Sequence, residues 1–549
     1  MSSALSKRNI YKAFVEIVWV ILLFFISIRF SNLLYSQEIP THSKEAFYNY
    51  ISNRFQEKGL DSNIHKKVWN YLSNPNKGYR AAGLSPSEFS MIVRDYIESK
   101  YNREIIGNVG EVMGIDTTEV YQNEDKSDAV VSYVQHIEKV SKNLGLDVTN
   151  INNKFLIVSL DGEQPPLGLV GRIRISGNYI EQKRHSASEK NAGFLCSSKL
   201  ATETALFAMG ILKELNLKPV SRIILMVDLS LYKAIGLDEL FNSYEIPPVN
   251  LVLDSVFPVS SAEYGYATVR LNQNVKEDVL KKSSVRRIEA NGGDFLIPDT
   301  AILYFDSEKL DRNTLADRIS KFSTKYDNVE LYLSEDKESS IRFKSLSGKK
   351  GSIPNALDYL VLFLTENRDL YPESIRLFEY LRRNIVFNPS GKSLGINKNH
   401  PLLNHTEVIL KSISVNGSSI SAELYVRFPY GIDSATLVER IKSNVSSFNK
   451  KESTDLEVYV SALNPITIDM NSDVAVKLKR AYELTTGNLQ KPAIYDGYYT
   501  KFFPNAVGFG PALPEYVKNP NADGFLMGET DIVKLVNIYI TAFILLMER

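Results

Sequence analysis

The sequence is poor in the residues that form disulfides and local metal sites. It has one cysteine, Cys196, so no disulfide can form within the chain. Its six histidines are scattered, and none lies in an H-x-H or H-E-x-x-H arrangement, which excludes a local zinc motif. The chain instead has an ordinary globular composition, with 44% hydrophobic and 23% charged residues among 549. This length predicts about two to four domains, with enough apolar material for a large core.

An excess of charge of one sign is also missing. The chain has 64 basic and 64 acidic side chains, which give a formal net charge of zero. No field of the whole protein would therefore recruit nucleic acid or an acidic membrane. We predict that the protein has no nucleic-acid partner.

One long apolar run lies near the N-terminus. Residues 13–30 read AFVEIVWVILLFFISIRF, about long enough to cross a bilayer as a helix. Lys7, Arg8 and Lys12 precede the run and only Arg29 lies at its far end, so the positive-inside rule places the N-terminus in the cytoplasm. A cleaved signal peptide is the alternative, but no clear small-x-small cleavage site follows. We predict a single-pass membrane protein with an uncleaved anchor and the bulk of the chain on the extracytoplasmic side.

A second apolar stretch lies at the C-terminus. Residues 532–547 read IVKLVNIYITAFILLM and include Lys534 and Asn537. Polar residues recur there at helical spacing, so we predict a terminal helix that faces the core.

The order of the predicted elements indicates two architectures. Apolar strands such as KFLIVSL, RIILMVDL and VNLVLDSV alternate with helices, which is typical of an α/β layer with a mostly parallel sheet. A mixed α+β pattern interrupts this layer, which then returns near the C-terminus. The predicted domains are a cytoplasmic tip and transmembrane anchor (1–35), a helical extension (36–105), an α/β domain in two parts (106–265 and 456–549) and an inserted α+β domain (266–455).

Three segments of the α/β part follow one another closely. They read GFLCSSKLATETALFAMGILKELNL, RIILMVDLSLYKAIGLDELF and LVLDSVFPVSSAEYG. Together they resemble PepV-type zinc dipeptidases of the aminoacylase and succinyl-diaminopimelate desuccinylase metallopeptidase superfamily. The corresponding family segments carry G-x-x-D-x-K-G-P, then D-E-E, then D-x-E-F-P-V followed by E-K-G.

Further motifs occur in the family's order. KGSIPNA at 350–356 is similar to the family's lid signature H-x-S-x-P-x-x-G-x-N-A, with a deletion, and RFP at 427–429 looks like its R-Y-P strand. DGYYTK at 496–501, followed by FGP at 509–511, is similar to G-G-T-Y-A-R followed by F-G-P. The resemblance runs from about residue 105 to the end. It implies a metallopeptidase-like α/β domain interrupted by an α+β lid domain.

The resemblance also implies a two-zinc hydrolase, but this chain lacks most of its site. The family's ligands are a His, a bridging Asp, a Glu, an Asp and a final His, with a separate Glu as general base. Only the second Asp is retained, as Asp254. The H-x-D falls at Arg172-Ile173-Arg174, the bridging Asp at Ser197, the D-E-E at Ser230-Leu231-Tyr232, the final His near Asn521 and the lid His at Lys350.

These replacements cannot hold zinc in the family's way. Arginine does not lose its proton in proteins, so Arg172 and Arg174 would repel a metal cation. A neutral hydroxyl at Ser197 is a poor substitute for a bridging carboxylate. Asp228 and Asp254 both follow predicted strands and suit at best a weak site for a hard cation. Alternatively, Asp228 caps a loop or pairs with one of the arginines.

We therefore predict no catalytic residue, no bound metal and no cofactor, which makes the chain a pseudoenzyme. It would bind or scaffold an unidentified peptide or protein partner, through its cleft or lid or through 36–105 in a membrane complex. Arg172, Arg174 and Arg427 are the candidate ligand-binding residues, although each could instead form a structural ion pair, Arg172 and Arg174 with Asp254. The alternative function is an active metallo-dipeptidase that hydrolyses small peptides with zinc at a relocated site.

Overall fold

The computed structural model describes most of the chain. The described residues are 44–58, 62–74, 78–115, 128–173, 194–195, 197–215, 221–229, 237–291, 297–306, 308–310, 312–334, 339–346, 355–401, 403–495, 499–514 and 526–546. The helices are α1 (Lys44–Lys58), α2 (Ser62–Ser73), α3 (Gly78–Ala81), α4 (Pro86–Lys100), α5 (Asn102–Gly114), α6 (Asp128–Asn143), α7 (Ser198–Glu214), α8 (Leu237–Ser243), α9 (Glu277–Leu280), α10 (Arg312–Lys325), α11 (Ala356–Glu366), α12 (Leu377–Asn384), α13 (Ser434–Glu452), α14 (Asp473–Thr486) and α15 (Glu529–Leu546), with 3-10 turns at Arg368–Leu370 and Tyr499–Phe502.

The strands complete the described elements. They are β1 (Asp147–Ile151), β2 (Phe155–Leu160), β3 (Glu163–Arg172), β4 (Phe194–Leu195), β5 (Ser221–Asp228), β6 (Val249–Val252), β7 (Ser255–Val256), β8 (Ser260–Glu263), β9 (Gly265–Asn274), β10 (Val285–Ala290), β11 (Thr300–Phe305), β12 (Val329–Leu333), β13 (Ser340–Ser345), β14 (Asn399–His400), β15 (Asn404–His405), β16 (Glu407–Asn416), β17 (Ser419–Phe428), β18 (Glu457–Leu463), β19 (Ile466–Thr467), β20 (Ala493–Tyr495), β21 (Ala506–Gly508), β22 (Pro511–Ala512) and β23 (Leu526–Met527).

A six-stranded sheet forms the centre of the α/β domain. Its order is β1-β2-β5-β3-β6-β21. The pairs β5–β3, β3–β6 and β6–β21 are parallel, whereas β1–β2 and β2–β5 are antiparallel. The expected mostly parallel sheet is therefore present, and its last strand comes from the part of the chain that follows the inserted domain.

Both faces of this sheet are buried, because successive side chains of a strand point in opposite directions. Leu156 and Val158 of β2 belong to a core that also contains α7, α14 and α15. Phe155 and Ile157 belong to a smaller core on the other face, with α8 and the 3-10 turn that carries Tyr499. The sheet thus lies between two helical layers, and its apolar strands read as continuous hydrophobic runs for that reason.

The N-terminal helices share the core of the α/β domain. Phe47 of α1 and Val93 of α4 are fully buried in the same cluster as Leu535 of α15. Polar contacts reinforce this packing: Arg94 Nη1 donates to the Leu484 carbonyl at 2.7 Å, and the Asn537 side chain donates to a Glu98 carboxylate oxygen at 3.0 Å. The described part of residues 36–105 is therefore built into the α/β core.

The inserted domain consists of two antiparallel four-stranded sheets with helices. Their orders are β10-β11-β13-β12 and β16-β17-β9-β18, and β10 lies against β16. One hydrophobic core, from Ala267 to Leu456, joins both sheets to α10, α11, α12 and α13. We call this unit the lid, and the predicted domain boundaries stay predictions.

The predictions for the C-terminal and the N-terminal apolar run differ in how they compare with the structure. The terminal helix is confirmed as α15, which is buried along nearly all of its length. The fold class is corrected with respect to the predicted N-terminal transmembrane helix. In the described part of the chain, no helix is long and apolar enough to cross a membrane. Residues 13–30 lie outside that part. Even α15 carries Glu529, Asp531 and Lys534. The fold class is a mixed α/β peptidase-like fold with a lid, and no transmembrane helix is assigned to it.

A buried carboxyl group in the lid predicts a pH dependence of stability. Asp358, 8% exposed, lies in the first turn of α11, and burial raises its pKa to about 7 although the Phe387 backbone N–H donates to it at 3.0 Å. The native state keeps this proton at pH values where the unfolded state has lost it. The free energy of unfolding should therefore fall as the pH rises from about 4 to about 7.

Asp358→Asn should remove about 2 kcal/mol of this fall in the free energy of unfolding. That is roughly half of the free energy that corresponds to the full pKa shift, because the N-terminus of α11 favours the charged carboxylate. Urea unfolding at pH 5 and pH 8 measures the effect. Asp317→Asn, at an exposed position of α10, serves as the control. An unchanged pH dependence in the Asp358 variant would contradict the prediction.

Candidate functional site

Three of the residues that the family resemblance assigns to the metal site or its strands lie at the carboxyl ends of parallel strands. Arg172 ends β3 and Asp228 ends β5, and the two residues are paired in the parallel register. Beyond the end of β6, the Leu253 N–H still donates to the Val170 carbonyl at 2.9 Å, which keeps the following Asp254 beside β3. Ligands of such sheets bind at this edge, so the strand order places these side chains where a site is expected.

Arg172 is paired with Asp254. Its Nη1 lies 3.1 Å from Asp254 Oδ2, and its side chain is 4% exposed whereas that of Asp254 is 30% exposed. The guanidinium also stacks over the ring of Tyr499, with Cζ 4.4 Å from the ring centroid. This contact adds a cation–π attraction, and the ion pair is the structural alternative expected for Arg172.

Tyr499 connects the arginine to the second carboxylate. Its hydroxyl donates to Asp228 Oδ2, and both residues are buried. Four side chains therefore form a continuous chain of contacts, which we call the arginine cluster: Asp254, Arg172, Tyr499 and Asp228. Both carboxylates at this edge have partners supplied by the protein itself.

Ser197, where the resemblance places the bridging Asp, and the neighbouring Ser198 both have structural roles. Ser197 is the N-cap of α7, and its hydroxyl accepts a hydrogen bond from the Leu200 N–H at 3.3 Å. The Ser198 hydroxyl accepts from the Arg172 N–H at 3.0 Å. Beside it, Gly171 lies so close to α7 that a Cβ there would approach Thr202 Oγ1 to 2.2 Å. Strand β3 and helix α7 are thus packed directly against each other at the site.

A second buried ion pair joins two of the segments that carry the family resemblance, LVLDSVFPVSSAEYG and DGYYTK. Lys501 Nζ is 3.3 Å from Glu263 Oε2, with side chains 4% and 0% exposed. The Thr500 hydroxyl also donates to Glu263, and Lys501 lies over the Tyr266 ring at 5.6 Å. Burial raises the pKa of Glu263 and lowers the pKa of Lys501, since desolvation penalises each charge, and their mutual attraction opposes both changes. We call these residues the lysine cluster.

Arg427 in the lid is engaged in a similar way. Its Nη2 lies 2.7 Å from Glu407 Oε2, and its guanidinium stacks over Tyr264 at 4.5 Å. Tyr264 joins β8 of the α/β domain to β9 of the lid. The contacts hold the arginine at the domain junction, as the ion-pair alternative expected.

Several predicted site residues lie outside the described residues. They are Arg174, Leu231, Tyr232, Lys350 and Asn521, and Cys196 also lies outside the described residues. The predictions for these positions stay predictions.

Sequence reasoning missed the roles of Tyr499, Lys501 and Glu263. Each lies in a segment that was compared with a family motif, so a search for buried charge within those motifs could have found them. Their partners are more than 200 residues away in the chain, which no local spacing reveals.

The residues at this edge do not fit the two-zinc centre that the fold family implies. Among the described residues, no three His, Cys, Asp or Glu side chains come together as metal ligands would. Strand β3 ends in a guanidinium at the position that the resemblance assigns to an imidazole, and that cation contacts Asp254, which the resemblance assigns as a ligand. Within the described part of this edge, the donor set is therefore two carboxylates that already have partners, without an imidazole.

Comparisons with known proteins show a resemblance of fold. No protein-family model and no curated protein matches the sequence. Human carnosine dipeptidase 1 is similar in structure at 10% identity, covering 83% of this chain and 98% of that chain with a TM-score of 0.49. The dipeptidase Dug1p of Saccharomyces cerevisiae (10%, 85% and 100%, TM-score 0.48) and an M20 family metallo-carboxypeptidase of Sulfolobus solfataricus (15%, 81% and 99%, TM-score 0.45) are also similar. The predicted metallopeptidase-like fold is confirmed, and at these identities the likeness concerns the fold alone.

Proposed function

We propose that the protein is a non-catalytic member of this fold type that binds a peptide or protein partner. The observation that carries the proposal is the arginine cluster, in which a fixed cation contacts the one retained metal ligand. A guanidinium keeps its proton at any physiological pH, so its charge stays at the position where a metal would need to approach.

The chemistry of hydrolysis supports the same proposal. A metal-dependent peptidase needs a general base near its metal-bound water. The two carboxylates of the arginine cluster are occupied by Arg172 and by the Tyr499 hydroxyl. Taking Asp254 as a base would break a partly buried ion pair, and taking Asp228 would break a buried hydrogen bond.

A peptide or protein partner fits the remaining properties. The chain has no net charge, which argues against nucleic acid. Its large lid and its N-terminal helices provide the surface that a peptide or protein partner would contact. If the partner is another subunit of a larger complex, the protein acts as a scaffold in that complex.

Metal content and hydrolysis test the proposal directly. We expect elemental mass spectrometry of the purified full chain to find no stoichiometric zinc, manganese or cobalt, before or after incubation with each metal. We also expect no cleavage across a dipeptide library with the same metals. The reason is the fixed charge of Arg172 beside Asp254.

Asp254→Asn is the matched control, because it removes the carboxylate while asparagine keeps the size of the side chain. One or two zinc ions per chain, together with chelator-sensitive cleavage, would overturn the proposal and favour an active metallo-dipeptidase. If Asp254→Asn then kept the metal, the site would be a relocated one that does not use this carboxylate.

A further inference from the structure

Two lid strands, β12 and β18, have no neighbouring strand on their outer side among the described residues, and β18 is the longer of the two. In the order β16-β17-β9-β18, β18 is the last strand. It pairs with β9 from Glu457↔Asn272 to Leu463↔Tyr266 with no shift of register. Where the chain is described, no other strand pairs with the outer side of β18, so its outward backbone N–H and C=O groups face away from the sheet.

This edge lacks the usual protection of edge strands. Native proteins block such edges with prolines, lysines or bulges. The β18 sequence EVYVSAL contains no proline, lysine or arginine. At the other end of the same sheet, β16 has a register shift between Leu410 and Ser412 and lies against β10. The β16 edge of the sheet is therefore protected, whereas the β18 edge is not.

Side chains of β18 form the partly exposed edge of the lid core. Val458, Val460 and Ala462 are partly buried and pack against this core, which also contains the buried face of α13. Helix α13 itself packs against β18. On the opposite face Tyr459 is 62% exposed. An added strand would extend the backbone ladder and cover the apolar rim together.

We propose that the edge of β18 binds an extended peptide segment of a partner, which adds as a fifth strand to this lid sheet. The proposal rests on the proposed function and names the site and form of the partner. Such strand addition takes its affinity from main-chain hydrogen bonds and its specificity from alternate side chains. The segment would place β-branched or small apolar residues over Val458, Val460 and Ala462, with polar residues between them.

The size of the edge favours a peptide over a second copy of the chain. Seven residues span about 24 Å, at about 3.4 Å per residue. One strand along this length covers far less than the roughly 1,600 Å² of a stable protein–protein interface. The edge by itself is therefore suited to a short extended segment.

The test uses fluorescein-labelled heptapeptides in an array that alternates Val or Ile with Thr, Ser or Lys. We expect at least one peptide to bind the full chain saturably in fluorescence anisotropy. The same peptide with N-methyl groups on alternate residues, in both frames, should bind about tenfold or more weakly in the frame that removes its donors. Mass spectrometry verifies that the peptide stays intact.

A charge on the strand provides the protein-side test. Val460→Lys adds a long charged side chain at the edge and should also weaken binding about tenfold. Tyr332→Lys, on the exposed position of edge strand β12 in the other lid sheet, should leave binding unchanged. Circular dichroism verifies that both variants are folded.

Three outcomes overturn the proposal: no array peptide binds saturably, Val460→Lys leaves binding unchanged, or neither N-methylated frame weakens it. Concentration-dependent dimerisation that Val460→Lys abolishes would assign the edge to a second copy and equally overturn the peptide assignment. Failure here without bound zinc or hydrolysis leaves the non-catalytic proposal standing. Stoichiometric zinc and peptide cleavage would overturn that proposal whatever happens at β18.

Discussion

Arg172→Met should lower the free energy of unfolding by about 3 kcal/mol. Removing one partner of a buried ion pair typically costs about 3–5 kcal/mol, because the remaining charge is left without compensation. The lower end applies here because the Asp254 side chain is 30% exposed and regains some hydration. Loss of the stacking contact with Tyr499 adds to the effect. Urea unfolding followed by circular dichroism measures the change.

The variants of the partner residue separate a structural role from a ligand-binding one. If Arg172 stabilises the fold through Asp254, the Asp254→Asn/Arg172→Met pair should lose less than the sum of the two single changes. Arg172→Lys keeps the charge but loses the planar stack, so its loss should lie between wild type and Arg172→Met. A stable Arg172→Met protein would show that the arginine cluster does not support the fold, and would favour the ligand-binding role for Arg172.

The arrangement of the sheet could be predicted because its signals are local. The strands β2, β5 and β6 are short apolar runs between helices, and burial on both faces is what gives a parallel sheet such runs. The position of Arg172 and Asp254 at one edge then follows from the direction of the strands. The pairing of these two residues was one of the alternatives that the charges alone allowed.

The contacts around that pair could not be predicted, since they depend on residues distant in the chain. Tyr499 and Asp228 are 271 residues apart, and the lid lies between them in the sequence. Tyrosine in a helical turn has no property that predicts a buried carboxylate as its partner. The placement of α1 against α4 and of α4 against α15 has the same character, because amphipathic helices show which face is buried but not which element covers it.

The prediction of a transmembrane helix illustrates a different limit. Length and hydropathy describe a run of residues without its surroundings, and α15 is strongly apolar yet is buried in protein along nearly all of its length. Its Asn537 reaches Glu98 of α4, a contact that a lipid environment would not supply. For α15 the polar residues at helical spacing were the informative signal.

Lys501→Met should have the other large effect, about 3–5 kcal/mol at pH 8. Glu263 is fully buried and would lose Lys501, the cation with which it forms an ion pair, while keeping the hydrogen bond from Thr500. Lys411→Met is the matched control: its ion pair with Glu423 in the lid is partly exposed, with side chains 18% and 27% accessible, and should contribute about 1 kcal/mol or less. Urea unfolding of both variants gives the comparison.

The pH dependence of the Lys501→Met loss tests its cause. Burial already raises the pKa of Glu263, and removing the lysine takes away the largest influence that lowers it. A group whose native pKa is raised loses stability as the pH rises, because the unfolded state releases the proton first. The deficit of Lys501→Met should therefore be smaller at pH 5, where Glu263 can take up a proton, than at pH 8. Glu263→Gln combined with Lys501→Met should recover part of the loss at pH 8, since no buried charge then remains. A deficit of equal size at both pH values, with no recovery in the double variant, would mean that Lys501 acts through packing of its aliphatic chain and not through its charge.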